Sequence, residues 1–247
     1  MGYDIRSRKY TPAQFIENTN TLKLNFDHVI YRHLATRPGE FVFIQVGAFN
    51  GMDCDPLYEF IGRYSWKGVL IEPQPQAFRQ LSTLHGENPR LQLVNAAISR
   101  ERSRSKFYVL EGDELPSWSR GMASFNIEHI LKHRDIIPSV EKHIVETEID
   151  CITFKDLFDQ TRVSRLDLLQ VDTEGFDAEV IYMFPFDRMK PDIIHFESKH
   201  LNKESLEKLL DYLIGLGYSV AYDGTEDMLA VLDPALPRMQ MEAVEKI

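Results

Sequence analysis

The sequence predicts an α/β fold in which helices cover both faces of a mostly parallel sheet. Mostly apolar runs at residues 41–48, 68–71 and 193–196 are typical of strands that are buried on both faces. These runs alternate with helical segments across short links, and repeated strand and helix units require right-handed crossovers. The chain length of 247 residues is enough for one large domain with a substantial core.

Residues 1–39 are predicted to form an N-terminal helical extension. Thr11, Pro12 and Gln14 supply an N-cap, a first-turn proline and a reciprocal capping partner for one helix. Asp27 is predicted to begin a second helix, which ends at the Arg-Pro-Gly segment 37–39.

The main domain is predicted to span residues 40–235, followed by a C-terminal tail at 236–247. After the first strand, its predicted elements are a helix from Asp55 to about Gly62, a strand at 69–71, a helix at 75–85 and a strand at 91–98. The order resumes after residue 165 with strands at 166–171 and 193–197, a helix that Asn202 caps, and a terminal hairpin at 218–222 and 228–232, joined through Asp223 and Gly224.

Residues 100–164 are predicted to be an insertion in this domain. Strands are expected at 106–110 and 143–149, a helix at 126–134, and a capping box at Thr153 and Asp156. Long insertions in compact domains are often functional, so this one is a candidate lid over a substrate. The residues that suggest a lid are Trp118, Arg120, Met122, Ser124 and Phe125. The alternative is a surface excursion with its own small core.

Composition excludes several classes of protein. The formal net charge of -10 argues against nucleic acid as a partner, because such affinity depends on Lys and Arg contacts to phosphates. A basic cluster at 100–106 is interpreted as a solvated turn. Cys54 and Cys151 are far apart, which argues against a disulfide framework or a zinc module. No signal peptide or membrane-spanning run is recognised, so the protein is expected to be cytoplasmic and to have no membrane partner.

A nucleoside pocket is predicted at the end of the first strand. Gly47 and Gly51 are expected to allow the backbone to approach a ligand closely, and Glu72 is expected to accept hydrogen bonds from ribose hydroxyls. The G-x-x-x-G spacing lacks the middle glycine of the dinucleotide fingerprint, so a ligand without a pyrophosphate, S-adenosylmethionine, fits better. The alternative is a tight strand-to-helix turn that binds nothing.

Polar residues at the carboxyl ends of the predicted strands should converge on one crevice. They are Asn50, Glu72, Asn95, Asp172, Glu174, His195 and Glu197. His195 and Glu197 are two residues apart and share a face of the sheet, so they are a candidate base and its orienting carboxylate. A structural histidine is the alternative. Asp172 and Glu174 are rival bases, and one of them is expected to contact the charged end of the cofactor.

No metal is expected, although a divalent ion is compatible with the residues present. His129 and His133 have metal-compatible helical spacing, but a third ligand is missing nearby in the sequence, which favours a solvated helix face. Oxygen ligands for Mg²⁺ are available from Asp172, Glu174 and Glu197.

The chain resembles the FkbM family of S-adenosylmethionine-dependent methyltransferases between residues 41 and 232. The matching segments are 43–51, 68–73, 93–99, 167–177 and 193–197, of which the Asp-x-Glu-Gly segment at 172–175 is the most specific. The resemblance implies a Rossmann-like class I methyltransferase sheet of seven strands with an antiparallel last strand. It also implies O-methylation of a hydroxyl on a sugar, a glycan or a small natural product.

The cofactor site predicted from the residues and this resemblance comprises Gly47, Ala48, Asn50, Gly51, Glu72, Pro73, Asn95, Ala96, Ser124 and Asp172. Gln45 stands where many members of the family have an acid. Two alternatives to a methyltransferase are a catalytically inactive binding protein with the same fold and a nucleotide-sugar oxidoreductase. The sequence leaves the acceptor and the oligomeric state open.

Overall fold

The structure is a computed structural model, which describes residues 25–112, 114–116, 119, 121–223 and 227–232. The predicted first helix at Thr11, the lid residues Trp118 and Arg120, the turn residue Gly224 and the C-terminal tail lie outside the described residues.

The main sheet contains seven strands: β1 (Val42–Val46), β2 (Lys67–Ile71), β3 (Leu91–Val94), β8 (Leu168–Val171), β9 (Ile193–Glu197), β10 (Ser219–Tyr222) and β11 (Asp227–Val231). Their order across the sheet is β10-β11-β9-β8-β1-β2-β3. Strands β3, β2, β1, β8 and β9 run parallel to one another, and β11 is antiparallel to both β9 and β10. This topology confirms the predicted sheet with its antiparallel last strand.

Helices cover both faces of this sheet. Helices α1, α2 and α3 pack with Phe43 and Leu70 on one face, and α5, α6 and α7 pack with Ile44 and Val69 on the other. The helices are α1 (Phe26–Thr36), α2 (Tyr58–Arg63), α3 (Pro75–His85), α4 (Ile127–Leu131), α5 (Phe154–Thr161), α6 (Asp177–Met183) and α7 (Lys203–Gly215). Within the described ranges, none of them is long and apolar enough to cross a membrane.

Helix α1 begins slightly earlier than the sequence predicted. Its N-cap is Asn25, whose side-chain oxygen accepts a hydrogen bond of 2.9 Å from the backbone N–H of Asp27. Asp27 therefore lies in the first turn, where its charge complements the helix dipole. The N-cap preference of asparagine explains the difference.

The insertion, together with the two residues of β4 just before it, forms a second sheet of four strands: β4 (Ala97–Ile98), β5 (Ser103–Leu110), β6 (Ala123–Ser124) and β7 (Ile144–Ile152). Their order across the sheet is β4-β7-β5-β6. Strands β5 and β7 pair in antiparallel register from Ser103 and Cys151 to Leu110 and Ile144. This sheet has its own buried cluster, which includes Phe107, Val109 and Ile149. It is followed by α5, whose predicted capping box of Thr153 and Asp156 is present.

The predicted strand at 91–98 is divided between the two sheets. Residues up to Val94 pair with β2, whereas Ala97 and Ile98 pair with β7. Asn95 lies at the break, and its side-chain amide donates hydrogen bonds to the backbone oxygens of Glu72 and Pro73 at 2.7 and 3.2 Å. These bonds turn the chain out of the main sheet.

Candidate active site

A cavity of about 430 Å³ lies between the carboxyl ends of the main-sheet strands and the four-stranded sheet. Its volume is in the range of small-molecule sites, and its position is the usual ligand crevice of an open α/β sheet. Apolar side chains form one wall, and they include Val46, Ile98, Phe107 and Phe125. Polar and charged lining residues are Glu72, Gln74, Ser124, Asn126, His129, Lys132, Asp172, Thr173, Glu174, Glu179 and His200.

The glycines of the turn after β1 make room for neighbouring parts of the protein, whereas the sequence predicted that they would make room for a ligand. Gly47 has a φ of +84°, and a Cβ atom there would lie 1.7 Å from the carbonyl oxygen of Asp172. Gly51 has a φ of +75°, and a Cβ atom there would lie 2.6 Å from Cδ1 of Leu81. Both glycines therefore allow close packing within the protein. Gly47 lines the cavity and Gly51 does not.

Glu72 follows β2 and is the most deeply buried acid of the cavity, with 3% of its surface exposed. Its carboxylate oxygens accept hydrogen bonds from the backbone N–H groups of Gln74 and Phe49, at 2.7 and 2.8 Å. Burial raises the pKa of Glu72 to about 7, although these two bonds favour the charged form. Each carboxylate oxygen keeps lone pairs that can accept further hydrogen bonds.

The remaining predicted cofactor residues divide into two groups. Pro73, Ala96, Ser124 and Asp172 line the cavity, together with Gly47 and Glu72. Ala48, Asn50 and Asn95 do not line it. Ala48 is buried in the core, and Asn95 orients the segment at Glu72. The side-chain oxygen of Asn50 accepts hydrogen bonds from the N–H groups of Met52 and Asp53.

Gln74 was not predicted to be a site residue. It lines the cavity and also a second one of about 600 Å³, which Asn50 and Asp53 line as well. Its side-chain amide donates a 3.1 Å hydrogen bond to the backbone oxygen of Gly121, so it links the main sheet to the insertion. The only sequence signal was its position two residues after the predicted ribose acid.

Asp172 follows β8, and its half-buried side chain lines the cavity. Burial and the nearby carboxylates of Glu197, Asp177 and Glu174 raise its pKa well above the ordinary value. Asp177 is fully buried and accepts hydrogen bonds from the N–H groups of Thr173 and Gly175, which fixes the shape of this loop. Gln45 does not line the cavity, and its amide donates to Asp55. Asp172 is therefore better placed than Gln45 to meet a charged group in the cavity.

Glu174 lines the cavity beside two histidines, His129 and His200. Its backbone has a φ of +54°, which is unusual for a residue other than glycine and is often found at functional sites. One carboxylate oxygen lies 3.0 Å from Nε2 of His200, and the His200 ring packs against that of His129 with centroids 4.8 Å apart. Burial, followed by the charge of His200, lowers the pKa of His129 to about 4. His129 is therefore neutral at pH 7.

The structure does not show the predicted arrangement in which Glu197 orients His195 as a general base. His195 is 1% exposed and stacks on Phe26, so it lies on the face of the sheet that α1 covers. Its Nδ1 lies 2.6 Å from the side-chain oxygen of Gln170, and its Nε2 lies 3.2 Å from a carboxylate oxygen of Asp223. Neither His195 nor Glu197 lines the cavity. The partners of His195 come from other parts of the chain than its own strand.

His195→Ala is expected to lower the free energy of unfolding by about 2 to 4 kcal/mol, because it creates a cavity and removes a partner from Gln170 and Asp223. Urea denaturation measures this loss. Turnover per folded molecule should be unchanged. His143→Ala, at a half-buried histidine of the insertion, is the matched control and should lower the free energy of unfolding by less. Lost turnover at unchanged stability would contradict the structural role.

Comparisons of the sequence and of the fold with known proteins both find FkbM methyltransferases. A model of the methyltransferase FkbM domain matches residues 45–220. The crystal structure of methyltransferase FkbM from Methylobacillus flagellatus KT has a TM-score of 0.50 at 12% identity, covering 89% of this chain and 50% of that chain. No curated protein sequence matches.

Two other solved structures are more distant. The N-terminal domain of human METTL16, in complex with SAH, has a TM-score of 0.45 at 11% identity, covering 87% of this chain and 72% of that one. Precorrin-6y C5,15-methyltransferase from Geobacter metallireducens GS-15 has a TM-score of 0.42 at 13% identity, covering 83% and 86%.

Proposed function

Because this chain belongs to the methyltransferase FkbM family, we propose that it transfers a methyl group from S-adenosylmethionine to a hydroxyl oxygen of a sugar, a glycan or a small natural product. The observation that carries this proposal is the buried carboxylate of Glu72 in the cavity at the carboxyl ends of β1 and β2. The concave cavity, lined by both apolar and polar side chains, favours a small acceptor over a macromolecular surface.

The residues of the cavity fit the cofactor. Glu72 has free lone pairs for the two ribose hydroxyls, and its own backbone bonds hold it in place. The apolar wall at Ile98 and Phe107 suits the adenine ring. Asp172 faces the cavity, and the described residues offer its carboxylate no hydrogen bond, so it is available to a ligand. When bound, the cofactor supplies a methyl group on a positively charged sulfur.

Asp172 is the best candidate for the base. It lies at the mouth of the crevice beside the predicted cofactor residues, whereas Glu174 is engaged with His200. Its raised pKa brings a carboxylate closer to neutral pH, where a base is most effective. Most of the rate enhancement is expected from holding the acceptor oxygen in line, which can supply about 7 to 11 kcal/mol.

Glu72→Ala is expected to weaken binding of S-adenosylhomocysteine by about 1.5 to 3 kcal/mol, because hydrogen bonds to a charged carboxylate are lost. With a pKa of about 7, Glu72 is mostly protonated at pH 6 and mostly ionised at pH 8. Since the ionised form accepts both hydroxyls, affinity should fall about tenfold from pH 8 to pH 6. Calorimetry at pH 6 and at pH 8 measures this change in affinity. Glu72→Gln is the control and should flatten the pH dependence; an equally steep dependence would assign it to another group.

The proposed reaction is tested by incubating the full chain with S-adenosylmethionine and pooled sugar, glycan and natural-product acceptors. Release of S-adenosylhomocysteine that depends on an acceptor supports the proposal, and mass spectrometry then identifies the methylated oxygen. Tight cofactor binding without release from any pool would instead favour a binding protein that has kept the fold. A melting temperature that rises with NAD or NADP but not with S-adenosylmethionine would favour the oxidoreductase.

A further inference from the structure

Three separate parts of the chain bring metal-binding side chains together at the mouth of the cavity. His129 comes from α4 in the insertion, Glu174 from the loop after β8, and His200 from the loop after β9. One nitrogen or oxygen atom from each of the three lies within 4.8 Å of the others. Gly175 packs against both histidines, since a Cβ atom there would be 3.2 Å from Cε1 of His129 and 3.3 Å from Cβ of His200.

This neighbourhood concentrates buried polar atoms that lack hydrogen bonds. Nε2 of His129, Nδ1 of His133, Nε2 of His200 and Oε2 of Glu197 are buried without a hydrogen-bond partner among the described residues. Nε2 of His200 lies 3.0 Å from a carboxylate oxygen of Glu174, but the geometry of this contact is not that of a hydrogen bond. Leaving buried polar atoms without partners costs free energy, so such atoms commonly mark the place of an ion or an ordered water.

We propose that His129, Glu174 and His200 bind a divalent transition-metal ion at the mouth of the cavity. Two imidazoles and one carboxylate suit Zn²⁺, Fe²⁺, Mn²⁺, Co²⁺ or Ni²⁺, whereas Mg²⁺ and Ca²⁺ prefer oxygen ligands alone. Bonds to such ions are about 2.0 to 2.2 Å long, so small side-chain rotations bring the three donors into range. Glu197 has a carboxylate oxygen 3.8 Å from the same Nε2 of His200, so its negative charge lies beside the proposed ion.

Two other groups in the described part of the chain have a similar composition but are less suitable. In the group of His33, Asp167 and Asp192, the Asp167 carboxylate already accepts hydrogen bonds from Val42 and Arg165. In the group of His195, Asp223 and Asp227, both ring nitrogens of the histidine already have partners. Neither group lines the cavity.

The position of the site also suggests the class of acceptor, a step that rests on the proposed methyl transfer. An ion held by three side chains on one side keeps coordination positions open toward the cavity. Two adjacent hydroxyl groups of a sugar can occupy such positions, and coordination lowers the pKa of a hydroxyl. We therefore expect acceptors with vicinal hydroxyls.

The metal site is tested with the metal alone, without cofactor or acceptor. The full chain, treated with a chelator and then dialysed, is titrated with Co²⁺ and Zn²⁺ by calorimetry, and bound Co²⁺ is followed by its visible absorption. One ion per chain is expected. His129→Ala and His200→Ala should each weaken binding by about tenfold or more and change the Co²⁺ spectrum. His143→Ala should leave both readouts unchanged.

Absence of binding to the wild-type chain, or equal affinity in all the variants, would overturn the metal site. Circular dichroism checks that each variant is folded, and the conservative His200→Asn replaces His200→Ala if the latter is not. The titration of S-adenosylhomocysteine into the same metal-free protein tests the proposed function separately. A chain that binds the cofactor but no metal would remove this inference and leave methyl transfer standing.

Discussion

Gly47→Ala is expected to lower the free energy of unfolding by about 3 to 5 kcal/mol. The φ of +84° is costly for any residue with a side chain, and the added methyl group would lie 1.7 Å from the carbonyl oxygen of Asp172. That oxygen belongs to the backbone after β8, so a flexible side chain cannot simply move aside. The neighbouring strands β1 and β8 must separate, or the turn must change its conformation.

Urea denaturation of Gly47→Ala and Gly62→Ala measures this effect against a matched control. Gly62 lies in α2, is exposed and has free space around its Cα, so alanine there should be neutral or stabilising by about 0.5 to 1 kcal/mol. Equal stability of the two variants would show that the turn relaxes easily. It would also weaken the assignment of Gly47 as the residue that shapes the crevice.

Asp172→Asn is expected to reduce turnover by about 10² to 10⁴-fold, the contribution typical of a base. Asparagine has nearly the same size, so the cavity should keep its shape, but the amide cannot take a proton from the acceptor. Turnover at saturating cofactor and acceptor measures this loss, and calorimetry with S-adenosylhomocysteine shows whether the cofactor site is retained.

Asp150→Asn is the matched control, because Asp150 is an exposed residue of β7 whose carboxylate lies 3.3 Å from Arg104. Its turnover should equal that of the wild type. If Asp172→Asn instead weakens cofactor affinity as strongly as it slows turnover, Asp172 holds the charged end of the cofactor. The search for a base then moves to Glu174.

The main sheet was predictable because each of its strands can be recognised from residues that are close together in the sequence. The apolar runs at β1, β8 and β9, and the acids and glycines that follow them, reflect strands buried on both faces that open into a crevice. Glu72 and Asp172 were expected at one crevice because each directly follows a buried strand, and both line the cavity. The strands were predicted correctly because the residues of each strand, and those that directly follow it, indicate that it is buried.

The missed features depend on contacts between distant segments. The sequence around His129 and His133 favoured a solvated helix face over a metal site. The side chains that lie next to His129 are those of Glu174 and His200, which come from loops far along the chain. His195 was predicted to work with Glu197 on its own strand, yet its partners are Gln170 of β8 and Asp223, which follows β10. The pairing of β5 with β7 is equally non-local. The spacing of residues along the chain does not indicate which distant residues come into contact.

The pairing of β4 with the end of β7 has a consequence for how this protein can diversify. Ala97 lies opposite Cys151 and Ile98 opposite Ile152, so the insertion leaves the main domain and returns to it at one point. A segment whose two ends are clamped together can lengthen, shorten or be exchanged at little entropic cost to the rest of the fold. Such a segment can change in length or sequence while the strands that carry Glu72 and Asp172 keep their positions.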